Sequence, residues 1–258
     1  MPDSLSSAYA DILAHPEPDA PRLRYAELVG GDHARFIREG ISLRDDRRSA
    51  VFVGGSRPSK ARLANLFERH PEWGMDVRPL VDAFDFGRGF VEQVTLTAQA
   101  FLERAESLFA KAPVLHAQLT KAAGQCAALA ASPHLARLRS LDLMLNRLED
   151  ADAIALAASP HLRELRWLEL SKNSIDAAGV DALAAATNLR VPGLQYLGLG
   201  LNRCVDPTDE AWQDENGVFN YSSRPHGSAL EAKYGRLPWV HFRSEHVYPD
   251  PDVFYRSK

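Results

Sequence analysis

A chain of 258 residues that is 45% hydrophobic and 25% charged can bury a real core and holds one large or two modest domains. Its net charge of -4 gives no general attraction for nucleic acid or an anionic membrane, and no apolar run is long enough to span a bilayer. Two cysteines make no disulfide framework, and Met1-Pro-Asp-Ser-Leu5 has no secretory character, so a reduced, cytoplasmic setting is expected.

Residues 1–86 read as a helical domain. Leu5, Tyr9, Ile12 and Leu13 fall on one helical face, and His15-Pro-Glu-Pro18 breaks that helix because proline lacks an amide donor. Asp19 followed by Pro21 predicts a new start with a capping oxygen, and Leu23, Tyr25, Ala26 and Leu28 are expected to face inward before Gly30-Gly31. Phe36, Ile37, Ile41 and Leu43 suggest a third helix. Residues 44–60 read as a loop, and a further helix over Ala61 to His70 carries Leu63, Leu66 and Phe67, with Trp73 and Leu80 completing a small core.

From Gly89 a new grammar starts. Leu138-Arg-Ser-Leu-Asp-Leu-Met-Leu-Asn146 returns as Leu165-Arg-Trp-Leu-Glu-Leu-Ser-Lys-Asn173 and as Leu194-Gln-Tyr-Leu-Gly-Leu-Gly-Leu-Asn202. The asparagines are 27 and 29 residues apart, the period of leucine-rich repeats. Val91 and Val114 open two degenerate copies without the asparagine, making about five units over 87–205. Helices are expected over Thr97 to Phe109, Ala127 to Ser132, Asp150 to Ser159 and Asp176 to Ala186, with Asp150 and Asp176 as N-caps. Such units stack because none buries its apolar side alone. The expected fold is therefore α/β, a leucine-rich-repeat solenoid of short parallel β-strands with convex helices. It follows an α-helical N-terminal domain, and residues 206–258 read as a C-terminal cap with Leu237-Pro-Trp-Val240 as an apolar plug.

Several phrases resemble a known bacterial family: Ile12-Leu-Ala-His-Pro-Glu-Pro-Asp-Ala-Pro-Arg-Leu23, Tyr25-Ala-Glu-Leu28, Phe36-Ile-Arg38 and Gly89-Phe-Val-Glu-Gln-Val-Thr-Leu96. They look like the repeat-companion domain that precedes leucine-rich repeats in myxobacterial and planctomycete proteins. Leu230-Glu-Ala-Lys-Tyr-Gly235 with Leu237-Pro-Trp-Val-His241 looks like the end of such proteins, and the repeats resemble the ribonuclease-inhibitor class. Glu27-Leu28-Val29 departs from the family's acidic-Trp-Leu motif, which puts any contact made by that tryptophan in doubt. The resemblance implies protein binding and no catalysis.

The chemistry available elsewhere is thin. Cys204-Val-Asp206 resembles the Cys-x-Asp of bacterial ubiquitin ligases, but Cys204 stands at a core position of its repeat. Gly54-Gly-Ser-Arg-Pro-Ser-Lys60 lacks the glycine and Ser/Thr of a phosphate loop, and the basic stretch Arg44 to Arg62 is broken by Asp45 and Asp46. His226, His241 and His246 with Asp250 and Asp252 match no standard zinc spacing. No cofactor, metal or nucleic acid is expected.

The strand face remains. Alternation along each strand turns one column, Gln93, His116, Ser140, Trp167 and Tyr196, away from the leucine core. A second holds Thr95, Gln118, Asp142, Glu169 and Gly198, and a third Thr97, Thr120, Met144, Ser171 and Gly200. Trp167 and Tyr196 are read as exposed aromatics beside Asp142 and Glu169, with His116, Gln118, Met144 and Ser171 around them and Gly198 and Gly200 leaving room for a partner's backbone. This predicts a non-catalytic module that binds a protein or peptide, preferably a basic one. Against it stands a docking role for the same aromatics, with the tail folded over them. A metal- or small-molecule-dependent enzyme using the N-terminal domain and tail histidines is the alternative of another class, and an architectural assembly adaptor is a third.

Overall fold

The computed structural model describes residues 4–45, 65–186, 193–203, 212–213, 219–220, 233–234, 237 and 239–241. Among them, residues within Met1–Leu96 and Glu103–Ala117 form one unit, and those within Thr97–Leu102 and Gln118–Val247 another. Residues 46–60 of the expected loop with its phosphate-like stretch, residues 61–64 of the helix expected over Ala61 to His70, Cys204 with Asp206, Tyr221, His226, His246, Asp250, Asp252 and Tyr255 lie outside the described residues.

In the first unit, α1 (Leu5–Ala14) opens where the Ser4 hydroxyl accepts the Ser7 amide at 3.1 Å, and it stops at His15 ahead of Pro16. Two more helices follow, α2 (Ala20–Val29) and α3 (Gly31–Asp45), so Arg44 and Asp45 belong to a helix rather than to the expected loop. Ile12, Ala26, Ala34, Ile37, Ile41 and Phe90 form the core, with Tyr9, Tyr25 and Val29 half-buried against it. The face expected for α2 needs correction. Leu23 and Leu28 are 40% and 41% exposed, while Pro21, Arg22 and Ala26 are buried. A count of leucines mistook the face because an arginine, neutralised inside, holds the inner position.

That arginine belongs to a buried ionic cluster. Arg22 Nη2 donates to Glu92 Oε1 at 2.5 Å, and Arg88 reaches the same oxygen through Nη2 at 2.8 Å and Oε2 through Nε at 3.3 Å. Their other donors grip the proline-rich link between α1 and α2: Arg22 bonds the Pro18 carbonyl, and Arg88 bonds the carbonyls of Pro16 and Glu17 and the carboxylate of Asp19. Asp19 does stand at the N-cap of α2, but it makes no capping hydrogen bond because its oxygen goes to Arg88 at 3.0 Å. Arg88 is presented by a hairpin absent from the sequence expectation, in which β1 (Ala83–Gly87) runs antiparallel to β2 (Phe90–Thr97). Gly89 at the turn has φ +85°, and a Cβ there would lie 2.4 Å from the Ile37 side chain, so only glycine lets the turn sit on α3.

Helix α4 (Ala98–Lys111) buries Phe101, Ala105, Leu108 and Phe109, the inward face read from its periodicity. In the second unit the strands β3 (His116–Thr120), β4 (Ser140–Asp142), β5 (Trp167–Glu169) and β6 (Tyr196–Gly198) are neighbours in that order. The β4–β5–β6 ladder is parallel, and its register aligns Leu141, Leu168 and Leu197, all buried to 1% exposure or less. Helices α5 (Cys126–Ala131), α6 (Asp150–Ala157) and α7 (Ala177–Ala185) alternate with the strands and pack consecutively. Asp176 caps α7 as expected, accepting the Ala177 amide at 2.7 Å. Asp150 does not cap α6. Glu149 does, in a reciprocal capping box with Asp152, and the Asp150 carboxylate instead accepts the Asp176 amide of the next copy at 2.7 Å. The Ser159 hydroxyl of the repeated Ser-Pro-His exit donates to the Ala130 carbonyl at 2.6 Å, pinning that exit to the helix of the preceding copy.

The repeated asparagines join one turn to the next. Asn146 Oδ1 accepts the Ala122 amide, Asn173 Oδ1 accepts the amides of Asn146 and Leu148, and Asn202 Oδ1 accepts that of Ile175. Ala122 thus occupies the asparagine position of a degenerate copy while still being held from its neighbour. Lys121, Leu145, Lys172 and Leu201, each just before that position, all have φ between 54° and 60°, so the same left-handed turn recurs. Beyond β6 the chain adds β7 (Val240–His241) parallel to it, with the Leu197 amide bonded to the Trp239 carbonyl at 2.7 Å. Lys233 and Tyr234 both bond Asp181 of α7.

Candidate functional site

The strands of the second unit carry the residues singled out from the sequence. Register pairs Ser140 with Trp167 and Trp167 with Tyr196, and likewise Asp142 with Glu169 and Glu169 with Gly198, which are the last three members of each of the two columns read from alternation. His116 begins β3 and falls in the first unit, so the group brought together is Gln118, Asp142, Met144, Trp167, Glu169, Ser171 and Tyr196.

The exposure expected of the aromatics is corrected. Trp167 is 5% and Tyr196 7% exposed. Neighbouring parallel strands lie only about 5 Å apart. The two rings therefore stack, with centroids 3.7 Å apart and planes 13° from parallel. Each removes the other's face from solvent, a consequence of register that single-residue reasoning misses.

The carboxylates follow one plan. Asp142 accepts the Met144 amide at 2.8 Å and the Gln118 side-chain amide at 3.1 Å. Glu169 accepts the Ser171 amide at 2.7 Å and the Tyr196 hydroxyl at 3.2 Å. Burial raises the Asp142 pKa, the Met144 amide and Gln118 pull it down, and the negative charge of Glu169 pushes it further up, leaving it above the usual carboxylate range. Ser171 is 2% exposed, and its hydroxyl makes no hydrogen bond among the described residues. The space expected above Gly198 is also corrected: a Cβ there would lie 2.3 Å from Glu169 Oε1, so Glu169 itself fills it.

This last contact makes a prediction. Gly198→Ala should cost about 1–3 kcal/mol, because the carboxylate it displaces is held by Tyr196 and Ser171. In a Glu169→Ala background the same change should cost at least about 1 kcal/mol less, measured by urea denaturation in a double-mutant cycle. Equal costs in both backgrounds would show that the clash lies elsewhere.

No group of three or more His, Cys, Asp or Glu side chains is placed to hold a metal ion among the described residues, and none of their helices is long and apolar enough to cross a membrane. Cys126 is a free, buried thiol whose pKa is pushed up by burial and then by Asp152, the opposite of a reactive thiolate.

Two adjoining segments, residues 134–157 and 158–184, match the Leucine Rich repeat family. These segments are leucine-rich repeats. The third written copy, ending at Asn202, and the degenerate copies lie outside the matched residues. No curated protein matches the chain, and no solved structure does. Leucine-rich repeats usually mediate protein binding.

Proposed function

We propose that the chain is a non-catalytic binding module: a leucine-rich-repeat solenoid over 87–205 with a companion domain before it and a cap after it. Its strand face takes a basic peptide or protein segment. The observation that carries the reading is the register pair Asp142 and Glu169, two carboxylates side by side on adjacent strands. Like charges in direct apposition are unfavourable, and Glu169 adds to the rise in the Asp142 pKa that burial mainly causes. A lysine or arginine brought between them relieves it, whereas an acidic ligand worsens it. Gln118 and Met144 flank the pair, and the Trp167–Tyr196 stack gives it a stiff floor rather than an exposed hot spot. Ser171 adds a buried hydroxyl beside Glu169.

The test is selection of the full-length protein against a random displayed-peptide library, followed by anisotropy titrations. Enriched sequences should carry Lys or Arg, and an Asp142→Asn/Glu169→Gln variant of wild-type stability should bind them at least about tenfold more weakly. Enrichment without basic character, or full binding by the variant, would remove the assignment.

A further inference from the structure

The first unit contains a cavity of about 280 Å³ that the strand-face reading does not use. Nearly half of its lining residues carry rings. Tyr25 stands edge-on to Phe90, with centroids 5.4 Å apart and planes at 73°, and edge-on to His33 at 5.7 Å and 74°. His33 stacks on Trp73 at 4.7 Å, and Tyr9 closes the ring of aromatics against Tyr25 and Phe90, both at 5.9 Å. The Tyr9 hydroxyl donates to the Lys111 carbonyl at 2.5 Å, so it is fixed rather than free to rotate. Lys111 is itself exposed.

The rings, rather than a net charge, set the polarity of this wall, because Lys111 lies in the lining with Asp76 and the Arg22 guanidinium carbon is 5.7 Å from the Phe90 centroid. Burial lowers the His33 pKa, and its Nε2 lies 3.3 Å from the Gly89 carbonyl, so at neutral pH it is an uncharged aromatic surface donating that proton. Burial also raises both tyrosines, which stay as phenols, and Asp76 is close enough to push Tyr9 up further. The lining therefore sets several ring surfaces beside one carboxylate, Asp76, and one exposed lysine, Lys111. Ring quadrupoles attract a weakly hydrated cation, and a nearby carboxylate strengthens that attraction without demanding a hydrogen-bond donor. The volume suits a small head group rather than a drug-sized ligand.

We infer that this cavity, walled by Tyr9, Tyr25, His33, Trp73 and Phe90 with Asp76 at its edge, is a binding site for a quaternary ammonium group. Such a group reaches the site either as a small free molecule or as a trimethylated lysine side chain. The two sources share the chemistry recognised, so the experiment must separate them.

The experiment titrates the full-length, isotope-labelled protein and follows the Trp73 indole and the backbone amides of Tyr25 and His33 by NMR. Three probes are used: choline, its uncharged isostere 3,3-dimethylbutan-1-ol, and matched peptides bearing trimethyllysine or unmodified lysine. Saturable shifts with choline, at least about tenfold weaker with the uncharged isostere, support the site with a free small molecule as source. Saturation by the trimethyllysine peptide alone, with the unmodified peptide about tenfold weaker, supports it with a peptide source. Asp76→Asn, a change at an exposed position, should weaken either by about threefold to tenfold while leaving the spectrum otherwise intact. Tyr25→Leu should weaken it as well. The inference is overturned by equal binding of charged and uncharged isosteres, by an Asp76→Asn variant of undiminished affinity, or by the absence of saturable shifts with every probe. Because the Asp142 and Glu169 variant leaves these residues untouched, failure here and failure of the strand-face reading are told apart.

Discussion

Glu92→Ala should destabilise the protein by about 3–5 kcal/mol, among the largest effects of any single substitution outside the leucine core. Glu92 is 1% exposed and holds two guanidiniums that are themselves 0% and 3% exposed. Removing it takes away the buried anion that both Arg22 and Arg88 bond, while Arg88 keeps Asp19. Glu92→Gln should cost nearly as much, because it preserves shape but sets an amide against cations. The pH dependence gives a second reading of the same cluster. Burial alone would raise the Glu92 pKa, but Arg88 and then Arg22 outweigh it, so its folded pKa is depressed. A depressed carboxylate contributes stability that is present above its unfolded value and is lost as pH falls through the folded one. The stability gap between wild type and Glu92→Gln, measured by urea denaturation, should therefore be full near neutrality and shrink on acidification below the ordinary glutamate range. A gap that holds constant down to strongly acidic pH, or a neutral-pH cost under about 1 kcal/mol, would mean that the cluster is not held by charge.

This cluster was legible only in fragments. Gly87-Arg88-Gly89 between two phenylalanines marks a tight turn with a charge at its tip, and two prolines flank Glu17, yet nothing in either phrase says that the arginine turns inward. Buried charges escape periodicity because periodicity counts apolar residues, which is also why Arg22 displaced Leu23 and Leu28 from the inner face of α2. The parallel ladder was readable because leucines at alternate positions and an asparagine repeat together, and two signals at one period leave little freedom. The columns of the strand face were readable for the same reason. Their exposure was not, since it depends on what stands beside each residue. Trp167 and Tyr196 are far apart in sequence and bury each other only once the register is set. The aromatic cavity was the least readable feature: its walls come from α1, α2, α3, the Trp73 turn and β2, and no short window contains more than two of them.

Asn173→Ala should cost about 3–5 kcal/mol, more than the same change at Asn202. Asn173 is 9% exposed, and its amide makes five hydrogen bonds. Oδ1 accepts the amides of Asn146 at 2.8 Å and Leu148 at 3.1 Å, and Nδ2 donates to the carbonyls of Leu143, Leu170 and Ser171. Alanine does not orphan all five partners. The Leu170 carbonyl still receives Asn202 Nδ2 at 2.9 Å, and the Ser171 carbonyl still receives the Leu145 amide at 3.3 Å. The amides of Asn146 and Leu148 and the carbonyl of Leu143 lose the bonds that satisfy them, and each buried polar group left bare costs about 1–3 kcal/mol before any relaxation. Asn202→Ala removes fewer, because its Oδ1 holds the single amide of Ile175, and of the two carbonyls its Nδ2 bonds, Leu199 and Leu170, the second also receives Asn173. Asn173→Asp is not a rescue: it keeps an acceptor for two amides but turns a negative charge toward three carbonyl oxygens in a buried turn. The expected order of urea midpoints is therefore wild type, Asn202→Ala, then Asn173→Ala, with Asn173→Asp no better than alanine. Should Asn173→Ala prove the milder of the two alanine variants, the turns would be held by their leucines and the asparagine ladder would be incidental to stability.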